Sequence, residues 1–147
     1  MTIEFVIPGD PVPKGRPRVT RTGHAYTPQK TRLYEAHIQD LWRRKGLATL
    51  PKGLPIAVSV DAYFAVPKSV SKKRRNTMDG APHVYRPDAD NVAKAVLDAL
   101  NQLAFDDDSN IYLLRVSKRY TLLEPRVEVT IEWEETNGTS KNGLDEN

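Results

Sequence analysis

The sequence predicts an α+β fold: a single domain with a mixed or largely antiparallel sheet of about four strands and helices packed on it. Three observations predict it. Four segments read as strands with period-two alternation, at Thr2–Ile7, Pro55–Val66, Ile111–Thr121 and Arg126–Trp133. Two other segments carry apolar residues at helical spacing. The 147 residues suffice for one hydrophobic core and are few for two.

Each element has a local reason. Ile3, Phe5 and Ile7 share one side of the first strand, which the Pro8-Gly9-Asp10-Pro11-Val12-Pro13 run ends. A basic, proline-stiffened loop follows from Lys14 to Arg21. Thr27-Pro28 suits a helix start, with Thr27 as N-cap and Pro28 in the first turn. Leu33, Tyr34, His37, Ile38, Leu41 and Trp42 then recur at helical spacing, and Gly46 suits the C-terminal cap. In the second strand Val58, Val60, Ala62 and Phe64 oppose Ser59, Asp61 and Tyr63. Pro67 to Arg75 reads as a short basic helix, Asp79-Gly80-Ala81-Pro82 as a turn and His83-Val84-Tyr85 as extended. A helix is expected from about Asp90 to Leu103, burying Val92, Val96, Ala99, Leu100 and Leu103, with Asn91, Lys94, Asp98 and Asn101 opposite. Leu123-Glu124-Pro125 joins the last two strands, and Val127, Val129, Ile131 and Trp133 share a face of the final one. The domain spans residues 1–135, and residues 136–147 read as a disordered acidic and polar tail.

Composition narrows the function classes. There is no cysteine, which excludes disulfides, thiolate zinc sites and cysteine nucleophiles. The N-terminus lacks a basic n-region and a long apolar h-region, and no apolar run reaches membrane-spanning length, so neither a secretory leader nor a membrane partner is expected. The net charge of +3 hides an asymmetry: residues 1–123 carry 20 Lys/Arg against 12 Asp/Glu, and residues 124–147 carry 2 against 7. A basic body suits a polyanionic partner, although a basic solvated surface has the same composition.

Chemistry concentrates in Arg86-Pro87-Asp88-Ala89-Asp90-Asn91-Val92-Ala93-Lys94 and in Asp106-Asp107-Asp108. Asp88 and Asp90 lie two apart, on one side if the segment is extended, and Asp90 falls at or next to a helix N-cap. Lys94 follows Asp90 by one turn. Three consecutive aspartates repel one another unless solvated or neutralised by a cation. Two readings stand side by side. Either the carboxylates hold a hard divalent metal with a lysine beside a phosphate, or they form a helix cap and a surface ion pair. Neither an EF-hand loop nor a Gly-rich nucleotide motif is present. His37 is expected to be a packed residue on the apolar stripe of its helix. His24 and His83 lie in loops without an evident partner. The basic stretches Lys14–Arg21 and Lys68–Arg75, with Arg86, Lys118 and Arg119, suit phosphodiester contacts made without reading sequence.

With these motifs in order, the chain resembles the RusA family of Holliday junction resolvases. The resemblance rests on Lys68–Arg75, on Pro87-Asp88-Ala89-Asp90-Asn91-Val92-x-Lys94-Ala95-Val96-Leu97-Asp98-Ala99-Leu100-Asn101, and on Ala104-Phe105-Asp106-Asp107-Asp108-Ser109-Asn110-Ile111. The early Pro13-Lys14-Gly15-Arg16-Pro17-Arg18 fits its longer, phage-associated members, and the resemblance runs to about Trp133. Asn110 stands where many relatives have glutamine, and Asp106 adds an acid before the family's pair.

The resemblance implies a RusA-like fold and a homodimeric, Mg²⁺-dependent endodeoxyribonuclease, with Mn²⁺ able to substitute. Such an enzyme resolves four-way DNA junctions by paired symmetric nicks in recombination and repair. It implies catalytic roles for Asp88, Asp90, Lys94 and Asp108, and metal ligation by Asp88, Asp90 and Asp108, with Asp107 ranked below them. Asn91 and Asp98 match the motif without an assigned role. Lys14, Arg16, Arg18, Lys72, Lys73, Arg74 and Arg86 are the expected DNA-holding cations. A cytoplasmic setting in a bacterium, phage or prophage is expected. The alternatives are a non-catalytic branched-DNA-binding module, and a flap or branched-DNA nuclease on the same scaffold.

Overall fold

In the computed structural model, which describes residues 1–135, the chain runs β1 (Thr2–Pro8), β2 (Arg18–Val19), β3 (Ala25–Tyr26), α1 (Gln29–Arg43), β4 (Ile56–Ala65), α2 (Lys72–Met78), α3 (Ala89–Leu100), β5 (Ile111–Thr121) and β6 (Arg126–Glu132). The expected tail, 136–147, lies outside the described residues. Four strands form one mixed sheet in the order β1-β6-β4-β5, so the expected α+β class holds. β4 and β5 are parallel, whereas β6 pairs antiparallel with both β1 and β4. Parallel neighbours need a long crossover, and α2 and α3 supply it. β5 and β6 adjoin in sequence but do not pair, because β4 lies between them.

Alternation sets which face is covered. Ile56, Val58, Val60 and Ala62 of β4 are buried with Phe5 and Ile7 of β1 and Val127, Val129 and Ile131 of β6. The α1 residues Tyr34, Ile38 and Trp42, one turn apart, close over this face, and Phe5 meets Trp42 edge to face with ring centroids 5.3 Å apart. α3 contributes Val92, Ala95, Val96, Ala99 and Leu100 to the same core. The small residues Ala95 and Ala99 let α3 lie close to its neighbours. Truncating Ile38 or Leu100, both fully buried, is expected to cost about 2–5 kcal/mol. The opposite sheet face carries Ser59, Asp61 and Tyr63, with Ser117 Oγ donating to Asp61 at 2.6 Å.

Several sequence expectations need correction. α1 begins at Gln29 with Pro28, not Thr27, in the cap position. His37 is exposed: the stripe that meets the sheet is Tyr34–Ile38–Trp42, and His37 is rotated about 100° away from Ile38. α3 ends at Leu100 rather than Leu103, since Asn101 is extended and Gln102 has φ 66°. The short basic helix starts only at Lys72. The loop after Lys14 contains a small ribbon, β2 paired with β3, that alternation over two residues could not announce.

Candidate active site and DNA-binding cleft

The loop before β2 is lashed to both long helices. The Lys14 N–H donates to Asn91 O at 2.8 Å, and the Gly15 N–H donates to Thr31 Oγ1 at 2.9 Å. Gly15 is required there, because a Cβ would stand 2.8 Å from Thr31 Oγ1 and 2.9 Å from the Pro28 ring. Lys14 Nζ reaches Glu35 of α1 at 2.8 Å and Asp98 of α3 at 3.1 Å. Partial burial pulls the Lys14 ammonium down, but the two carboxylates outweigh it and hold it above its usual range. Lys14, expected among the DNA-holding cations, therefore spends its charge on a clamp between α1 and α3. Asp98 gains a role from this: it also accepts Lys94, at 3.5 Å.

The clamp brings the basic loop to the start of α3. Pro13, Lys14, Arg16, Arg86, Pro87, Asp88 and Asn91 line one open cleft of about 620 Å³. Asp88 is the N-cap residue of α3, extended at φ −67° and ψ 146°, and it makes no side-chain capping bond. Asp90, expected at or next to the cap, lies inside the first turn. The extended geometry thus stops at Asp88, so it does not align the two side chains. Both carboxylates are exposed near the positive end of the helix dipole. Lys94 is 60% exposed, and its ion pair is with Asp98 rather than Asp90.

What holds Asp88 in place was only partly legible. Lys118 of β5 was expected to face DNA. Its ammonium instead donates to Tyr85 O and to Pro87 O, both at 2.7 Å, fastening the loop that contains the cis Arg86–Pro87 bond. The signal was present in the sequence: Lys118 falls on the face of β5 shared with Leu114, Val116 and Tyr120. Residues 80–83 also run along β5, with Gly80 N donating to Tyr120 O and His83 N to Lys118 O, each at 2.9 Å. The His83 ring stacks on Phe64 at 4.1 Å. Desolvation, then the Lys118 charge, pushes its pKa below the usual value.

The second acidic cluster lies at the other end of α3. Asp106 N donates to Leu50 O at 3.0 Å. Asp107 caps a single 3-10 turn, Asp108–Asn110, by accepting from Ser109 N at 3.2 Å, and the hydrogen bonds from Ser109 hold its carboxyl below the usual range. Asn110 Nδ2 anchors the turn to Pro51 O at 2.8 Å and Leu54 O at 3.1 Å. Asp106 and Asp107 face a separate cleft with Lys52, Gln102 and Tyr112.

Two rulers measure the gap between the clusters. The 12 residues of α3 span about 18 Å at 1.5 Å each. From Ile111 to Lys118, whose ammonium touches Pro87 O, β5 spans about 23 Å at 3.3 Å per residue. Metal–oxygen bonds are about 2.0–2.6 Å. One chain therefore cannot bring Asp88 and Asp108 to one ion, and no group of three or more His, Cys, Asp or Glu suited to a metal occurs among the described residues. The sequence expectation that these carboxylates surround one point fails within a single chain.

The remaining predicted cations divide by position. Arg16 and Arg86 line the Asp88 cleft. Arg18 lines a neighbouring groove with Lys30 and Pro28. Lys72, Lys73 and Arg74 are exposed on α2, while Arg75 turns back to Pro67 O at 2.9 Å. No helix among the described residues is long and apolar enough to cross a membrane.

The chain is 38% identical over 136 residues to an uncharacterized protein, YqaN, of Bacillus subtilis (strain 168), covering 88% of this chain and 94% of that one. A family model described as endodeoxyribonuclease RusA matches residues 8–132. The chain therefore belongs to the RusA endodeoxyribonuclease family.

Proposed function

We propose that the protein is a Mg²⁺-dependent endonuclease that resolves four-way DNA junctions by paired nicks, acting as a homodimer. The observation that supports this best is the convergence of Arg16, Arg86 and Asp88 on one cleft at the N-terminus of α3. Guanidinium groups there can clamp a phosphodiester bidentately beside a carboxylate. Lys72, Lys73, Arg74 and Arg18 extend the basic surface to neighbouring DNA, and junction shape rather than base edges would be read.

On this reading the metal-binding residues come from two subunits. Asp88 and Asp90 form one half of a site, and Asp108 of the partner subunit, supported by Asp107 of the partner subunit, forms the other. Bound there, a divalent cation supplies a Lewis acid and lowers the pKa of a water. The chain's own groups do the rest. Arg16 and Arg86 position the phosphate, Lys94 places a cation next to it, and Lys118 keeps Asp88 in register through the Pro87 carbonyl. A two-fold dimer would present two such sites to opposing strands.

The test is a nicking assay on a labelled four-way junction, a flap and a linear duplex, with Mg²⁺ or with EDTA, for wild type and Asp88→Asn. Paired, metal-dependent nicks on the junction, lost in the variant, are expected. Preferred cutting of flaps would point to a general branched-DNA nuclease. Tight junction binding without cleavage in any metal would reduce the aspartates to helix-end structure.

A further inference from the structure

The basic loop and its ribbon carry more charge than the Asp88 cleft uses. Residues 11–34 hold six Lys/Arg and no Asp or Glu. Lys14 is spent on Glu35 and Asp98, but Arg16, Arg18 and Lys30 form no ion pair with a described residue. These three line one groove of about 350 Å³, walled by Pro17 and Pro28. That size lies at the small end of ligand clefts, about 300–1,000 Å³, so it has room for one planar ring system and none for a duplex arm. Arg16 also lines the Asp88 cleft, so the two adjoin. Tyr26, 47% exposed, opposes Arg18 across the β2–β3 ribbon, and directly opposed residues share a face. Val19 and Ala25 take the other face. The ribbon is closed at its tip, where Thr20 N donates to His24 O at 2.9 Å and His24 N to Thr20 Oγ1 at 3.1 Å. Every residue from Arg18 to Tyr26 is exposed, so the Tyr26 ring belongs to no core.

We propose that this groove is a subsite for one unpaired nucleotide of the DNA. Tyr26 stacks on its base, and Arg16, Arg18 and Lys30 hold the phosphates on either side. The chemistry of the surface favours this occupant. An aromatic ring held out beside a cationic groove is what unstacked bases bind, because every base has a π-face. The proline walls offer the base edge a rigid apolar boundary, and guanidinium groups match phosphate oxygens. A base inside a continuous duplex is stacked on both sides and paired, and freeing it costs energy that an unpaired base does not require. The subsite therefore selects branched or interrupted DNA over plain duplex, through a ring that reads no sequence. This deepens the proposed function and rests on it for placing branched DNA at the Asp88 cleft.

The test is competition binding in EDTA at fixed salt with two probes, a duplex carrying one bulged thymidine and the same duplex with an abasic bulge. The wild type is expected to bind the thymidine bulge about tenfold more tightly than the abasic one. Tyr26→Ala should erase that preference, Tyr26→Phe should keep it, and Val19→Ala, on the opposite face, should leave it unchanged. Lys30→Ala should weaken both probes alike, since phosphate contacts carry no information about the base. A wild type that binds the two bulges equally overturns the subsite, whatever the variants do. So does a Tyr26→Ala protein that keeps the preference. The nuclease reading is judged apart, by Mg²⁺-dependent nicking of a four-way junction. A wild type that nicks junctions without a thymidine preference overturns the subsite alone, and one that has the preference without nicking overturns the nuclease alone.

Discussion

Lys118 donates to the Pro87 carbonyl at 2.7 Å, so a side chain of the sheet fixes the backbone one residue before Asp88. The same ammonium holds Tyr85 O at 2.7 Å. On the proposed function, the lysine would act through Asp88 rather than on the phosphate.

Lys118→Met should keep most of the side chain's apolar stem and lose both bonds. Nicking of a four-way junction is expected to fall about 10–100-fold, the usual cost of losing a partner that orients a metal ligand. The apparent Mg²⁺ requirement should rise while junction affinity in EDTA changes little. A variant with the wild-type Mg²⁺ titration would mean that Lys118 does not position Asp88.

Lys14 makes the opposite case, a cation in a basic loop that serves the fold. It is 18% exposed and faces two carboxylates from different helices. Lys14→Met leaves Glu35 and Asp98 facing each other, and urea unfolding should show a loss of about 1–3 kcal/mol. Its pKa is raised above 10.5, so the clamp acts fully below pH 10.5 and is lost as pH rises through the folded-state value. The stability difference between wild type and variant should therefore shrink only in strongly alkaline buffer.

Salt dependence separates DNA-facing cations from structural ones. Arg86→Ala is expected to lower the slope of log affinity against log salt for junction binding by about 0.9, one phosphate contact. Lys14→Met, once corrected for stability, should leave that slope nearly unchanged. Equal slopes for wild type and Arg86→Ala would remove Arg86 from the DNA surface.

His83 sets a pH dependence of stability. Its folded-state pKa lies below 6.5 because the ring is desolvated and next to Lys118. The unfolded chain therefore takes up the proton first, and the stability present above pH 6.5 is lost as pH falls through the folded-state value. The drop in Tm from pH 7.5 to pH 5.5 should be smaller in His83→Phe, which preserves stacking on Phe64. An identical drop in both proteins would assign the effect to other groups.

The elements that were legible in the sequence are those whose pattern is long. Alternation over Ile56–Ala65 and Arg126–Glu132 marked β4 and β6, and the Val92–Val96–Ala99 spacing marked α3. Strand order was not legible, because β5 and β6 are adjacent in sequence yet separated in space by β4. At the candidate site, the motif residues were found but not their distances. A run of acids at each end of a helix reads as one cluster until the length of α3 is counted. The roles of Lys14 and Lys118 depended on which backbone and carboxylate groups the fold brings to them, and charge alone assigned both to DNA.

On the proposed function, each active site takes Asp88 from one subunit and Asp108 from the other. The most direct measurement is junction nicking by a mixture of Asp88→Asn and Asp108→Asn proteins, refolded together to allow exchange. Each variant alone should be inactive. In a mixed dimer one site receives both substitutions and the other receives none, so the mixture should recover single-strand nicking. A mixture as inactive as its components, beside a wild type that cuts, would contradict a site shared between subunits.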